Sequence, residues 1–413
     1  MPQPIVLLGL GATAASGEFA LTQIASAQPV VLADTAAPAW ARPHLDHHLH
    51  VDPADGPTTI AAVKAFASAH PLHGILTYTR DHLVTAAQIA EDLNRPTTPA
   101  GTLALCTDRT ATRETLAQHR VPHPVWDEAR NAETATHRAD AIGYPVIIRA
   151  RTGSAVSGLA CDRSEVPGVC DRMNRHTGSQ HPHRAAAFLL EEHLDGPQVA
   201  AETVVLEGGD VRTVAITRTT VGPGPARQAV RHCVFAHDSL LHNRILRQTV
   251  ARTVDALGIT LGVLHIEMTL TTRGPHITDV TPHLPDDLIP LLVERATGIN
   301  LPQVAADLAL GRHPNLVPTR QRAAAVHFAY SPNSGRLRRL ALTARDVHPL
   351  VDRAAITQEP GRHVEAAACA TTQDRLAHWV VAAETAIDCH TLLDQVTHSL
   401  DADIVPASDA PAA

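Results

Sequence analysis

The sequence predicts a multi-domain chain of α/β and α+β class, and three observations carry that expectation. The chain has 413 residues, more than one domain ordinarily holds. It opens on an apolar strand, a helical stretch and a second apolar strand, the order of a βαβ unit. Beyond residue 101, strand and helix signals mix with hairpin turns, and the texture changes again near residue 321. The expected division is an N-terminal Rossmann-like α/β domain over 1–100, a central domain over 101–320 and a small C-terminal α+β module over 321–413.

Composition removes several classes. With 44% apolar and 18% charged residues, global disorder is excluded. Aromatics are 3%, so cores must be built from Leu, Val, Ile and Ala. No uninterrupted apolar run reaches the roughly 18 residues a membrane-spanning helix requires. A net charge of -8 argues against a nucleic-acid partner. Lys64 is the only lysine, so a site needing a cation will show arginine. Six scattered cysteines without a C-x-x-C pair read as free thiols in a reducing cytoplasm.

Taken in order, Ile5–Leu8 reads as a buried strand ending in the Gly9-x-Gly11 turn, followed by a helix over 18–27 and a strand over 29–34. A secretory signal is set aside because no basic residue precedes the apolar run. Position 14 is alanine, so the third glycine of a dinucleotide fingerprint is absent. His44, His47, His48 and His50 form a dense cluster that reads as a polar loop rather than a metal site, because its spacing matches no ligand pattern.

Asp108 caps a helix over 108–119. A second helix over 132–142 stops at Gly143, a strand covers 145–149, and a small-residue loop covers 152–158. A further helical stretch leads to a strand over 186–192. Strands over 199–206 and 211–217 flank Glu207-Gly208-Gly209-Asp210, a hairpin signal. A long helix over 240–257, strands over 262–269 and 276–280, and helices over 287–298 and 301–311 follow. Residues 323–329 and the strand-like stretches up to 404 make the C-terminal module, and 406–413 read as a frayed end.

Several residues suggest chemistry by themselves. Small residues over 152–158 allow backbone N–H groups to approach a polyphosphate closely, although taken alone the segment reads more simply as an ordinary polar turn, and Arg149 just upstream is what favours the phosphate. Glu267 and Asp279 sit near the ends of two strands joined by a short connection, so both carboxylates can face one cleft and offer hard oxygen to Mg²⁺. The plainer meaning of such spacing is an exposed acidic pair on a hairpin.

Four segments in order resemble the ATP-grasp superfamily, in its carboxylate–amine ligase branch. They are Asp108-Arg109 with Arg113, then 143–149 with the Gly/Ser loop, then 190–197, and finally 258–311 with His265-x-Glu267 and Asp279-Val280-Thr281-Pro282-His283. The resemblance implies a central domain of two lobes, about 110–192 and 193–320. It implies nucleotide binding by Arg109, Arg149, Gly153, Ser154, Ser157 and Gly158, a hinge at Glu191, Glu192, His193 and Leu194 against adenine, and Gln198 at the ribose. It also implies metal ligation by Glu267, Asp279 and Thr281, and Arg149, Arg218 and His283 as catalytic residues, with His232 on the substrate side.

The sequence departs from the family at several of these positions. Arginine replaces lysine at 109 and 149, and Gln198 stands where the family has a glutamate. Thr281 replaces an asparagine and His283 an arginine. The implied activity is an ATP- and Mg²⁺- (or Mn²⁺-) dependent ligase. It would join a small-molecule or amino-acid carboxylate to an amine through an acyl phosphate, in a slot between the N-terminal module and the central lobes. The departures keep a second reading open, an ATP-grasp fold that binds without ligating. A homodimer is compatible with the resemblance.

Overall fold

Residues 3–11, 14–153, 157–180, 188–343 and 350–406 are described by a computed structural model of the chain. The N-terminal unit is β1 (Ile5–Leu8), α1 (Ala14–Ala25), β2 (Val30–Asp34), β3 (His47–His50), α2 (Gly56–Ala69), β4 (Gly74–Leu76), α3 (Leu83–Asp92) and α4 (Ala100–Thr107). Its sheet is parallel, in the order β3-β2-β1-β4. All four residues of β1 are buried, as a parallel strand covered on both faces must be. The βαβ opening is therefore present, with its helix starting four residues earlier than position 18.

The histidine cluster is not a loop. Arg42–His44 is a 3₁₀ turn, and His47–His50 pair in parallel with β2, so the segment is an edge strand. Its rings are used locally. His48 Nε2 lies 3.0 Å from the Asp34 carbonyl, and His47 packs beside Phe66 and His70.

Next come α5 (Arg109–Gln118), β5 (Trp126–Ala129), α6 (Ala132–Ile142), β6 (Val146–Ala150), β7 (Ser157–Ala160), α7 (Val166–Gln180) and β8 (Phe188–Glu192). The four strands form an antiparallel sheet, β5-β8-β6-β7, packed against α6 and α7. Caps define the helices: the Asp108 carboxylate accepts from the N–H groups of Thr110 and Ala111, and Asn131 with Thr134 closes a capping box. The small-residue loop is shorter than expected, because Ser157 and Gly158 already belong to β7.

The remainder is built on β9 (Gln198–Val205), β10 (Val211–Val221), β11 (Ala229–Phe235), α8 (Arg244–Leu257), β12 (Gly262–Thr271), β13 (Gly274–Thr281), α9 (Ile289–Thr297), α10 (Leu301–Ala309), β14 (Ala323–Ala329), β15 (Gly335–Leu342), β16 (Val351–Ile356), β17 (His363–Val364), β18 (Ala377–Ala383), α11 (Ala386–Val396) and β19 (Leu400–Val405). The 207–210 hairpin is present, with Gly208 and Gly209 at φ 88° and 82°. The long helix divides. Ser239–His242 is a 3₁₀ turn, and Asn243 interrupts it to cap α8 by accepting from Leu246 N–H. β11 pairs with β10 and had no counterpart in the sequence reading.

Eight strands make one sheet in the order β13-β12-β9-β10-β11-β14-β18-β16. It crosses residue 321 without a break, since Phe235 pairs with Ala323. A separate three-stranded sheet, β17-β15-β19, lies beside it.

One apolar core runs from the N-terminal sheet through α1, α9 and α10 to the large sheet, joining Ile5 and Leu21 to Leu292 and Val326. The Ser16 hydroxyl accepts from Leu288 N–H at 3.2 Å, and Thr98 Oγ1 donates to the Leu261 carbonyl at 2.7 Å. These contacts bring residues 78–80 to the mouth of the central cleft. Among the described residues, no helix is long and apolar enough to cross a membrane.

Candidate active site

A cavity of about 550 Å³ opens between the β6–β8 sheet and the β9–β13 end of the large sheet. The segment 78–81, the start of α9 and residues 371–375 complete its wall. It lies where the sequence placed a slot between the N-terminal unit and the two lobes.

Glu267 and Asp279 face this cavity as directly opposed residues of β12 and β13, with a bulge immediately after Glu267. The 272–273 turn is so tight that the two strands must present these acids together. Asp279 lies 3.4 Å from Arg80 Nη2 and 3.6 Å from Arg109 Nη2. Burial works against its charge, but Arg80, Arg109, Arg149 and Arg113 hold its carboxyl far below the usual range.

Glu267 is steadied from behind. Glu202 is fully buried, accepts from Thr217 Oγ1 at 2.6 Å and lies 2.9 Å from His265 Nδ1. His265 Nε2 is in turn 3.5 Å from Glu267. Burial disfavours a charged imidazole, yet Glu202 and then Glu267 raise His265 well above its ordinary value. Burial raises the Glu267 carboxyl, but His265 and Arg149 outweigh that and the charge of Asp279, and keep it low.

Arginines form the opposite wall. Arg109, the first residue of α5, is 6% exposed and donates through Nη1 to the Ala150 carbonyl at 2.9 Å. Burial first, and then the charges of Arg80 and Arg149, push it down to about 10 against the pull of Asp279. Arg149 on β6 lies 3.3 Å from Glu191 through an Nε without hydrogen-bond alignment. Burial opposes its charge, while Glu191, Asp279 and Glu267 raise it. Arg151, two residues on, turns away and forks onto Asp108 at 2.9 and 3.0 Å. Gly153 and Ser157 line the cavity, with Gly153 at φ 73°. Ser154 lies outside the described residues.

At the hinge, Glu191 is locked to Arg113 at 2.6 Å, both almost fully buried, so its side chain serves the lobe interior. The Glu192 carboxylate accepts from Val125 N–H at 3.0 Å. His193 N–H donates to the Pro145 carbonyl at 3.1 Å. Leu194 N–H has no partner among the described residues. Glu191, Glu192, His193, Leu194 and Gln198 all line the cavity.

Three sequence-derived assignments need correction, at Arg218, Gly158 and His283. Arg218 is not at the cavity: strand alternation sends it to the other face of β10, where it grips Asp238 at 2.6 and 3.0 Å. Gly158 serves packing, since a Cβ there would meet Val169 Cγ1 of α7 at 2.5 Å. Thr281 stays at the cavity, where its hydroxyl accepts from Arg80 Nη2 at 2.8 Å and keeps a second lone pair. His283 is buried with Nδ1 2.7 Å from the Leu284 carbonyl, and burial with nearby Arg80 pushes it down to about 3. It is a neutral ring whose one N–H is spent on that carbonyl, so it does not replace an anion-binding arginine.

The far end of the cavity escaped the sequence reading. His232 was placed there, and it bonds Thr219 Oγ1 at 3.0 Å. Tyr78, Asp286, Asp287 and Arg375 were missed there, as was Arg80 at the opposite end. Arg375 holds both Asp287 oxygens, donates to Tyr330 at 2.9 Å and lies 3.7 Å from the Phe328 ring. Only the adjacent Asp286-Asp287 pair, just after the Asp279-to-His283 motif, offered a local signal.

A divalent cation can be tested against this donor set. Glu267 and Asp279 offer facing hard carboxylate oxygens, while among the described residues no three His, Cys, Asp or Glu side chains converge. Two carboxylates suit a Mg²⁺ ion that shares its shell with nucleotide phosphates and water.

Residues 108–316 match the family described as the carbamoyl-phosphate synthase L chain, ATP binding domain. An uncharacterised protein of Sinorhizobium fredii is 25% identical over 379 residues, covering 87% of this chain and 74% of its own length. Human carnosine synthase 1 is 23% identical over 274 residues, 61% of this chain but only 32% of the relative. Among solved structures, the L-amino acid ligase from Bacillus licheniformis superposes with a TM-score of 0.80 at 18% identity, covering 98% of this chain and 99% of that one. The N5-carboxyaminoimidazole ribonucleotide synthetase from Thermotoga maritima gives 0.70 at 14% identity, covering 98% and 100%. At these identities the likeness is one of fold.

Proposed function

The chain belongs to the ATP-grasp superfamily, in its carboxylate–amine ligase branch, and from that premise we propose that it joins a small-molecule or amino-acid carboxylate to an amine at the expense of ATP. The observation that carries this reading is the opposition, across one cavity, of Glu267 and Asp279 to Arg80, Arg109 and Arg149. A triphosphate needs cations along its oxygens, and this cavity presents three guanidiniums beside a carboxylate pair.

In this reading Arg109 and Arg149 bind the nucleotide phosphates, the Glu191–Leu194 hinge and Gln198 receive the nucleoside, and Glu267 and Asp279 hold Mg²⁺ or Mn²⁺. The bound cation would neutralise charge on the phosphates during transfer. Arg80 donates to the hydroxyl of Thr281, which stands where the family has a metal-ligand amide. It adds a fixed positive charge to the phosphate end. The carboxylate substrate attacks the terminal phosphorus, the bond from that phosphorus to the bridging oxygen breaks with release of ADP, and an acyl phosphate results. The amine then displaces phosphate. No covalent bond to the protein is needed, and positioning supplies the rate.

Calorimetry of MgATP against the purified protein tests this, followed by phosphate release with amino acids as acid and amine. Metal-dependent binding and amine-dependent phosphate release are expected. Binding without turnover across the amino acids would support the non-ligating reading instead.

A further inference from the structure

The cavity is polarised. Arg80, Arg109 and Arg149 gather at one end, and the other, where Arg375 is taken up by Asp287, carries a carboxylate without a direct partner among the described residues. Asp286 lines the cavity, and its side chain has no hydrogen-bond or ion-pair partner among the described residues. Its neighbour Asp287 is fully engaged, with Arg375 on both oxygens and His232 Nε2 at 3.3 Å. The guanidinium at this end is therefore committed.

A second, independent feature lies beside it. Tyr78 lines the same cavity and is 5% exposed, and its hydroxyl is buried without a hydrogen-bond partner among the described residues. Thr79 Oγ1, on the same wall, is also unpartnered. Buried polar atoms are nearly always satisfied, so such exceptions ask for an explanation. An anion would be repelled by the free carboxylate. A nitrogen rich in N–H donors suits a carboxylate, a phenol oxygen and a hydroxyl together.

Resting on the ligase reading above, we propose that Asp286 receives the amine substrate as its ammonium and takes the proton that must leave before attack. The carboxylate removes one N–H proton, giving the free amine. The nitrogen lone pair forms the C–N bond at the acyl-phosphate carbon. The C–O bond to phosphate breaks, its electron pair leaves with the phosphate, and the phosphate carries away the second proton. Asp287, Arg375 and His265 face Asp286, and Tyr78 feels its charge. Burial first, and then Asp287, push its carboxyl up to about 7 against Arg375 and His265. A base in that range is matched to neutral pH.

The test separates the two half-reactions. Each proteinogenic amino acid is first supplied as acid with MgATP and hydroxylamine, which is unprotonated at pH 7 and traps an acyl phosphate as hydroxamate. Each acid that responds is then paired with glycinamide as the probe amine. Asp286→Asn is expected to lower amide formation at pH 7 by roughly a hundredfold. Hydroxamate yield should stay within about twofold, and the amide deficit should shrink as the pH approaches the amine's own pKa. Amide formation at the parental rate, or equal loss of amide and hydroxamate, overturns the proposal while leaving the ligase reading standing. No hydroxamate from the parent with any of these acids overturns the reading as an amino-acid ligase, and this proposal with it. If the asparagine variant does not fold, Asp286→Glu replaces it, with an expected loss of amide formation of at least about tenfold and hydroxamate spared. Parental amide formation by that variant counts against the proposal.

Discussion

The two ends of the cleft are built in opposite ways. At the phosphate end, Arg109, Arg149, Glu267 and Asp279 come from regular elements in one stretch of chain, and three of the four lie on strands. At the far end, Tyr78, Asp286 and Arg375 come from three distant loops or helix starts. The first end is positioned by sheet register. The second depends on the apolar core that presses α9 against both the N-terminal unit and the large sheet. Charge differs with it: three guanidiniums beside a facing acid pair at the first end, and at the second a carboxylate without a direct partner among the described residues.

The largest effect should come from the phosphate end. Asp279→Asn and Glu267→Gln are each expected to lower phosphate release by roughly a hundred- to a thousandfold with the circular dichroism spectrum intact. Parental turnover by either would remove the distinction between the ends.

Arg375→Met probes the far end through stability. It leaves Asp287 without its main partner, and a loss of about 3–5 kcal/mol in urea unfolding is expected. The sign with pH follows from the depressed Asp287 carboxyl. Burial opposes its ionisation and Arg375 overrides burial, so the stabilisation is complete above the unfolded value and lost as pH falls through the lower folded one. The variant should lack that acid limb, and an unchanged limb would show that another group causes it.

Asp286 has the opposite sign. Its folded value is raised to about 7, so its contribution to stability is present below the unfolded value and declines as pH rises toward the folded one. Asp286→Asn should flatten stability between about pH 4 and 7.

Within the phosphate end, Arg149→Ala should weaken nucleotide binding by about 1.5–3 kcal/mol, as for loss of a charged hydrogen bond. Arg151→Ala, whose guanidinium is spent on Asp108, should change it by less than about twofold. Equal losses in titration calorimetry would break the strand-end assignment. The smallest functional effect belongs to Arg218→Ala. It should leave nucleotide binding unchanged and cost about 1–3 kcal/mol of stability through the buried Asp238 left behind.

What could be read before folding was local. The βαβ opening, the Asp108 cap, the Gly143 stop and the 207–210 hairpin follow from short-range patterns, and the structure contains each of them. The acid pair belongs with these, because a tight turn forces Glu267 opposite Asp279. Errors arose where one residue of strand phase decides the outcome. Arg218 and Thr219 are neighbours in sequence, yet only Thr219 reaches the cavity. The histidines of 47–50 looked like a loop because edge strands tolerate polar side chains, and the hydrogen bonds to β2 lie in the backbone.

The residues alone determined the family, the local caps and turns and the pairing of two carboxylates across a hairpin, since each rests on spacing within a few turns of chain. Packing alone decided that Arg80 would hold Thr281, that His283 would lose its charge and that Asp286 would stand unpaired beside Tyr78. Those outcomes need groups up to about 200 positions apart to share one low-dielectric space, where burial and neighbouring charge set what each can do.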